Sequence, residues 1–243
     1  MKTLLFIFTL AISTISFADE TFTYKVDGEP YEGYFISGGK NSPLVLLIHD
    51  WDGLTDYEIE RANMLAKEGY SVMAADLFGK GIRPTEVKDK KQHTGELYKD
   101  RAKMRSLMKG ALAEAEKKGA SLTNAVAMGY CFGGAAVLEL ARSGENLRGF
   151  VSFHGGLSTP EGQNYKTTKG KVMVFHGTAD SMISMDDVAK LAMELESEKV
   201  AHEIISYGGA PHSFTVFDSK AYQKEADESS WTRFLSFLER ASK

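Results

Sequence analysis

Residues 125–142 read AVAMGYCFGGAAVLELAR, in which a short apolar run leads through a glycine-rich turn into a second apolar segment. The run over 125–128 is typical of a buried strand, and 133–142 has the spacing of a helix. Gly129, Cys131 and Gly133 place a nucleophilic side chain midway between two glycines. Such glycines allow a sharp turn that presents the central residue at the end of the strand. Cys131 is therefore predicted to lie at the edge of a sheet, at the N-terminus of a helix.

Strands and helices alternate on both sides of this unit. We predict strands over 21–26, 31–36, 44–48, 70–75, 125–128, 149–153, 172–175 and 204–207, and helices over 56–68, 97–118, 133–142, 188–199 and 220–241. The first two strands are joined by a tight turn and are expected to be antiparallel. The order of the other elements predicts an α/β protein, with a mostly parallel sheet of about eight strands and helices on both faces. The Lys-rich stretch 79–94 is predicted to be a solvated connection rather than a lid.

The composition is that of one packed globular domain. The chain has 243 residues, with 29 Lys and Arg against 33 Asp and Glu, and a formal net charge of −4. This charge argues against a strongly basic nucleic-acid-binding protein, so no nucleic-acid partner is expected. No repeat or low-complexity linker divides the chain, and residues 19–243 are predicted to form a single domain.

Residues 1–18, MKTLLFIFTLAISTISFA, have the pattern of a signal peptide. Lys2 precedes an apolar run over 4–12, and the small residues Ser16 and Ala18 flank Phe17 at the end. The run is short for a bilayer-spanning helix, although an uncleaved anchor is the alternative. We therefore expect an exported, periplasmic or secreted protein with no membrane-embedded segment after processing. Cys131 is the single cysteine; in an oxidising compartment such a thiol is either buried and inert or retained for its chemistry.

Two further residues follow other strands. Asp180 comes after the strand at 172–175, and His212 comes after the last strand. Ligands of such sheets bind at the carboxyl ends of the strands, where these side chains would meet. The chain order Cys131, Asp180, His212 is the order of nucleophile, acid and histidine in α/β-hydrolases. We predict that the three residues form a catalytic triad; an inert thiol in a glycine-rich turn is the alternative.

The sequence resembles the dienelactone hydrolase family of α/β-hydrolases. The matching stretches are IHDWDGL (48–54), ADLF (75–78), GYCFGG (129–134), SFHGGL (152–157), VFHGTAD (174–180) and GAPHSF (209–214). The resemblance implies the α/β-hydrolase fold and hydrolysis of small carboxylic esters or lactones without a metal or organic cofactor. It also implies a triad of Cys131, Asp180 and His212. In the family's mechanism, the backbone N–H groups of Phe132 and Trp51 would receive the oxyanion, and Asp50 would hold the resting thiol.

On this interpretation Cys131 attacks the ester carbonyl and forms a thioester, which water then hydrolyses. His212, oriented by Asp180, either takes the thiol proton or holds a thiolate as an ion pair. We expect iodoacetamide to alkylate Cys131 faster than a model thiol at pH 6, because a thiolate paired with histidine persists below the pKa of free cysteine. Substrate contacts are assigned to Phe78, Lys80, Tyr130, Ser213, Phe214 and Val216. The aromatic members of this set, with Trp51, are expected to line an apolar pocket, with plain core packing as the alternative.

The sequence departs from the family at the substrate's carboxylate. Lys80 and Val216 stand where dienelactone hydrolases carry two arginines. Lysine offers a point charge and valine no donor, so weak preference for anionic substrates is expected, with Arg83 as the first candidate for a missing cation. His49, Asp50, Asp52, His154 and His176 follow strands, but their spacing matches no metal-binding motif.

Two other functions stay open from the sequence. The same triad could serve a thioesterase, an acyltransferase or a peptidase. A thiol-based redox-sensing or binding protein without turnover belongs to a different class. We expect a monomer or a weak homodimer whose partner is a small-molecule substrate.

Overall fold

The computed structural model describes residues 19–242, which form one eight-stranded sheet and six helices. The predicted signal peptide, residues 1–18, lies outside the described residues. The strands are β1 Asp19–Val26, β2 Glu29–Ile36, β3 Pro43–Ile48, β4 Ser71–Ala75, β5 Ser121–Tyr130, β6 Gly149–Phe153, β7 Lys171–Gly177 and β8 His202–Tyr207. The helices are α1 Asp56–Lys67, α2 Val87–Lys99, α3 Arg101–Lys117, α4 Phe132–Arg142, α5 Met185–Ser197 and α6 Lys224–Ala241.

The strands lie in the order β1-β2-β4-β3-β5-β6-β7-β8. β1 pairs with β2 and β2 with β4 in antiparallel fashion, whereas all pairings from β4 to β8 are parallel. The predicted sheet of about eight strands, mostly parallel with antiparallel N-terminal strands, is confirmed. Because β3 and β5 are neighbours, with Ile48 opposite Gly129, the loops that follow these two strands meet at one edge of the sheet.

Alternating side chains of the strands build a separate core on each face of the sheet. In β3, Leu44, Leu46 and Ile48 pack with residues of α3, α4 and α5, and Val45 and Leu47 pack with residues of α1 and α6. All five side chains are fully buried. Burial on both faces explains why this strand is a continuous apolar run instead of an alternating one.

The region between β4 and β5 differs from the prediction. The single helix expected over 97–118 is two helices, and α2 occupies much of the stretch 79–94 that was expected to be a loop. The chain breaks at Asp100, whose backbone is not helical and whose side chain accepts a hydrogen bond from the Lys103 N–H at 2.9 Å. An aspartate at an N-cap accepts a hydrogen bond from a backbone N–H of the first helical turn, so Asp100 marks the start of a new helix. Thr94 and Leu97 are the buried residues of α2, which turn the helix onto the sheet edge that carries Cys131.

Within the part of the chain that the structure describes, no helix combines the length and apolar character that a membrane crossing requires.

Candidate active site

Cys131 occupies a sharp turn between β5 and α4. Its backbone has φ 49° and ψ −111°, a conformation that L-residues rarely adopt and that is held by the surrounding structure. A Cβ on Gly129 would overlap the backbone of Gly133, and a Cβ on Gly133 would overlap the carbonyl groups of Ile48 and His49. Both glycines are therefore required by the close packing of β5, α4 and β3, and this packing presents the thiol at the sheet edge.

His212 lies between Cys131 and Asp180. Its Nε2 is 3.1 Å from the Cys131 Sγ, and its Nδ1 is 2.7 Å from the Asp180 Oδ2. The other carboxylate oxygen, Oδ1, accepts the backbone N–H groups of Met182 and Ile183 at 2.8 and 3.0 Å. With the carboxylate held in this way, Nδ1–H donates to Asp180 and Nε2 is left to accept the thiol proton.

The surroundings of Cys131 favour the neutral thiol. Burial and the nearby Asp50 carboxyl raise the pKa of Cys131 to about 12, although the Phe132 N–H at the start of α4 acts in the opposite direction. Burial also tends to raise the pKa of Asp180, but the hydrogen bonds from His212 and from two backbone N–H groups outweigh it and lower that pKa. A persistent thiolate, one of the two resting states considered from the sequence, is disfavoured, because the desolvated site carries several acidic groups.

The two backbone N–H groups predicted to receive the oxyanion follow neighbouring strands, and that of Phe132 interacts with the thiol. Phe132 is the first residue of α4, so its N–H has no acceptor within the helix. Trp51 lies in the turn after β3, the strand next to β5. Lys90 of α2 covers the Trp51 ring at 5.1 Å and pairs with Asp52 at 2.9 Å. The structure thus brings both predicted oxyanion donors to the strand ends on either side of the β3–β5 pair.

Asp50 lies in a cluster of acidic residues. Its Oδ1 accepts the Asp52 N–H at 3.0 Å, and its own N–H faces the Glu58 carboxylate at 3.4 Å. Burial, together with Asp52 and Glu58, raises the pKa of Asp50 to about 9. In this structure the hydrogen bond of the thiol goes to His212; that Asp50 holds the resting thiol, as the resemblance implies, stays a prediction. Asp50 contributes to the raised pKa of the thiol, because the thiolate would form next to an acidic group in a desolvated site.

The aromatic residues assigned to the substrate divide into two groups. Tyr130 and Phe214 are fully buried in the core that faces α1 and α6, where Tyr130 packs edge-on against Tyr57 at 5.0 Å. For these two residues the alternative of core packing is the correct one, because the side chain of Tyr130 projects to the opposite face of the sheet from that of Phe132. Phe78 is partly exposed and contacts Phe132 at 5.6 Å between ring centroids.

The remaining assigned contacts lie on loops. Lys80 is exposed, and its N–H bonds to the Pro30 carbonyl at 3.0 Å. Ser213 has φ 61°, and its carbonyl accepts the Val216 N–H at 3.0 Å in a turn directly after His212. Val216 is partly exposed.

Arg83 is already paired within the protein. Its guanidinium lies 3.0 Å from Glu32 and 3.8 Å from Asp76, and it also donates to the carbonyl groups of Leu54 and Ile82. These contacts leave it poorly suited to replace the missing arginines as a substrate-binding cation.

A polar network behind His212 has no signal in the sequence motifs. The His154 ring lies 5.3 Å from the His212 ring, and its Nε2 is 2.8 Å from the Thr215 hydroxyl. Arg61, 1% exposed, donates to the Thr215 carbonyl at 2.7 Å and to Asp227 at 2.6 Å. These bonds anchor the loop that carries His212 to α1 and α6. The sequence carries one signal for this network: Arg61 is a charged residue next to Ala62 in the apolar stripe of α1.

Both ring nitrogens of His49, one of the strand-end histidines, have backbone partners. His49 Nδ1 donates to the Asp50 carbonyl at 2.6 Å, and Nε2 accepts the Leu77 N–H at 3.0 Å. Burial lowers the pKa of His49 to about 4. Among residues 19–242, no three His, Cys, Asp or Glu side chains are grouped so as to hold a metal ion.

A family model described as the dienelactone hydrolase family matches residues 32–242. The chain belongs to this family. Among solved structures, a dienelactone hydrolase-like promiscuous phosphotriesterase from metagenomic libraries is similar, with 28% identity, a TM-score of 0.85, and coverage of 93% of this chain and 98% of that one. The protein named m3DLH is similar with 29% identity, a TM-score of 0.85 and the same coverage. A Synechocystis protein named "Putative carboxymethylenebutenolidase" is 26% identical over 79% of this chain and 83% of its own length.

These likenesses establish two properties of this dienelactone hydrolase family member. The fold is that of the α/β-hydrolases, as predicted. The protein is a hydrolase of the kind that cleaves ester or lactone bonds in small molecules.

Proposed function

We propose that this protein hydrolyses small carboxylic esters or lactones through a thioester formed on Cys131, with His212 as base and Asp180 as its orienting acid, and without a cofactor. The observation that carries the proposal is the continuous path from Sγ to Nε2 at 3.1 Å and from Nδ1 to Oδ2 at 2.7 Å, located at a strained turn before a helix. A nucleophile, a base and an orienting group within hydrogen-bond reach are the requirements for covalent catalysis of acyl transfer.

The reaction begins with a neutral thiol. As Sγ attacks the carbonyl carbon, its proton passes to Nε2 of His212, and Asp180 stabilises the imidazolium that forms. The Phe132 and Trp51 N–H groups receive the oxyanion, and each such donor is typically worth about 3 kcal/mol in the transition state. The imidazolium then protonates the leaving alkoxide. Water, deprotonated by His212, attacks the thioester and releases the acid and the thiol.

The raised thiol pKa has a consequence for substrate choice. A thiol with a raised pKa is a poorer leaving group than an ordinary cysteine, so the tetrahedral intermediate goes forward more readily when the leaving oxygen is an activated one and His212 protonates it. Activated esters and lactones have better leaving groups than amides. This difference favours ester hydrolysis over the peptidase alternative.

The test is a panel of esters and lactones, with a thioester, a peptide and one phosphotriester, assayed on wild type and Cys131→Ala in parallel. The phosphotriester is included because a similar enzyme carries that activity in its name. We expect ester turnover to fall at least about 10³-fold in Cys131→Ala. Intact mass after a rapid quench should show one acyl group on wild type and none on the variant. Near-wild-type turnover by Cys131→Ala would refute the nucleophile assignment. A reactive thiol with no turnover of any panel member would favour a redox-sensing or binding role.

We also propose that the protein is exported after removal of residues 1–18, on the basis of Lys2, the apolar run and the small residues before Asp19. The intact mass of protein recovered from the exported fraction should correspond to a chain starting at Asp19. Recovery of the full-length chain in membranes only would contradict this. Sedimentation analysis of the same material tests the proposed monomer or weak homodimer.

A further inference from the structure

A cavity of about 190 Å³ lies along α4, from Ala135 in its first turn to Arg142 at its end. It is lined by Tyr98, Arg101, Ala135, Arg142, Gly156 and Ser158. The Ala135 N–H donates to the Cys131 carbonyl at 3.3 Å, so Ala135 is one helical turn beyond the nucleophile. Four residues advance about 6 Å along a helix axis. A substrate with its carbonyl at Sγ could therefore extend into this cavity.

Three arginines surround one carboxylate at the cavity. The Glu139 carboxylate is 3.7 Å from Arg101, 2.7 Å from the Arg105 Nε and 2.9 Å from Arg142. Glu139 itself is fully buried. Three positive charges share one negative charge, so this cluster of four side chains is positively charged, and two of its arginines, Arg101 and Arg142, line the cavity.

The arginines differ in their remaining capacity to donate hydrogen bonds. Arg142 is almost completely buried, and its three nitrogens donate to Gln163, Tyr165 and Glu139. Arg101 is different: Nε donates to the Tyr98 carbonyl at 2.9 Å, its contact with Glu139 is long, and its side chain is 24% exposed. A guanidinium has five N–H donors, so Arg101 retains donors for a ligand.

Tyr98 connects this cavity with the reacting atoms. Its ring packs edge-on against the Phe132 ring at 5.5 Å, and its hydroxyl lies 3.9 Å from the position that a Cβ of Gly156 would occupy. Among the hydrogen bonds of residues 19–242, none uses the Tyr98 hydroxyl, which is therefore free to donate to a ligand.

We propose that this cavity binds a carboxylate carried by the substrate a few carbons away from the scissile carbonyl, with Arg101 pairing with the carboxylate and Tyr98 donating from its hydroxyl. Planar guanidinium groups suit carboxylates because two N–H groups can bind both oxygens. The inference rests on the proposed ester hydrolysis and specifies its substrate class. The proposal differs from the weak preference for anionic substrates that Lys80 and Val216 predict. Here the positive charge comes from Arg101 at the start of α3, and not from the two positions at which dienelactone hydrolases carry arginines.

The test compares two p-nitrophenyl esters of equal acyl length, the monoester of glutaric acid and the ester of pentanoic acid. Wild type should prefer the anionic ester by about tenfold or more in kcat/KM at low salt. Arg101→Gln should remove this preference, mainly by raising KM for the anionic ester. The matched control is Lys99→Gln, which removes one exposed positive charge from the neighbouring residue and should leave the preference intact.

Equal rates for both esters in wild type, or equal effects of Arg101→Gln and Lys99→Gln, would overturn the proposal. Turnover of the neutral ester would in that case leave the proposed hydrolase function standing. A second measurement does not depend on turnover: calorimetric titration of glutarate into Cys131→Ala. Its affinity should weaken about tenfold when Arg101→Gln is added; an unchanged affinity would refute the carboxylate site even in a protein that hydrolyses esters.

Discussion

Asp180→Asn is the substitution that tests the relay between carboxylate, imidazole and thiol most directly. An asparagine has the same shape as aspartate but only one acceptor oxygen. In the protein one oxygen of Asp180 accepts two backbone N–H groups, from Met182 and Ile183, and the other accepts the His212 Nδ1–H. The amide oxygen of the variant should stay with the two backbone donors. Its NH₂ group then faces Nδ1 and forces the proton of the imidazole onto Nε2, where it blocks acceptance of the thiol proton.

The expected loss in kcat follows from the free energy needed to turn the asparagine amide so that its oxygen, and not its NH₂ group, faces Nδ1 of His212. Turning the amide would restore an acceptor for Nδ1–H but would leave both backbone N–H groups facing an NH₂ group. An unsatisfied buried donor costs about 1–3 kcal/mol, so the two together cost about 2–6 kcal/mol. With about 1.36 kcal/mol for each factor of ten, a central cost of about 4 kcal/mol predicts a loss of about 10³-fold in kcat.

The assay is kcat for the best neutral ester over a range of pH, with urea unfolding as a check on stability. Asp187→Asn is the matched control, since Asp187 lies on the same segment but only caps α5 through Ser184. It should keep kcat within about twofold of wild type. A loss of less than about tenfold in Asp180→Asn, with the fold intact, would show that Asp180 does not set the tautomer of His212.

Three other predictions concern the buried titratable groups. Because the pKa of Cys131 is raised to about 12, iodoacetamide should alkylate Cys131 more slowly than free cysteine at pH 7, and the rate should rise toward pH 10. Labelling of Cys131 faster than that of free cysteine at about pH 6 would instead indicate a thiolate paired with His212. Burial raises the pKa of Glu58 from 4.5 to about 7, so across this window the folded state keeps a proton that the unfolded chain has lost, and the free energy of unfolding should fall as pH rises. Glu58→Gln should flatten that slope in urea unfolding, and an unchanged slope would assign it to another group. Arg61→Met should lower the free energy of unfolding by about 3–5 kcal/mol, because it leaves the buried Asp227 carboxylate without its positively charged partner. Arg233 is exposed, so Arg233→Met should change the free energy of unfolding little. Equal effects of the two substitutions in urea unfolding would contradict a stabilising role of the buried pair.

The eight strands were predictable because each carries a local signal that the final fold preserves. β3 is a continuous apolar run since both of its faces are covered, and the antiparallel pair β1 and β2 is joined by a short turn. The break at Asp100 was missed because the apolar spacing continues through it, with Leu97 and Met104 buried in successive helices. The side chain of Asp100 stops the helix through a single cap bond that has no effect on hydrophobic periodicity.

The arrangement of the candidate triad was also predictable in outline. Cys131, Asp180 and His212 each follow a different parallel strand, and the carboxyl ends of such strands meet at one edge of the sheet. Chain order and position were therefore enough to bring the three residues together. The distances that make them a proton relay come from the structure.

What tertiary structure alone decided is the environment of these residues. Whether Tyr130 contacts substrate or core depends on the face of the sheet to which its side chain projects, and whether Arg83 is free depends on Glu32, 51 positions away in the chain. The protonation state of the Cys131 thiol depends on desolvation and on Asp50 from another strand end. Arg101 reaches the cavity along α4 only because the chain turns at Asp100. Patterns that are local along the chain were enough to predict the fold and the chemical groups at the sheet edge. Charge, burial and ligand access were decided by contacts between distant elements, because electrostatic and packing energies depend on distance in space and not on separation in sequence.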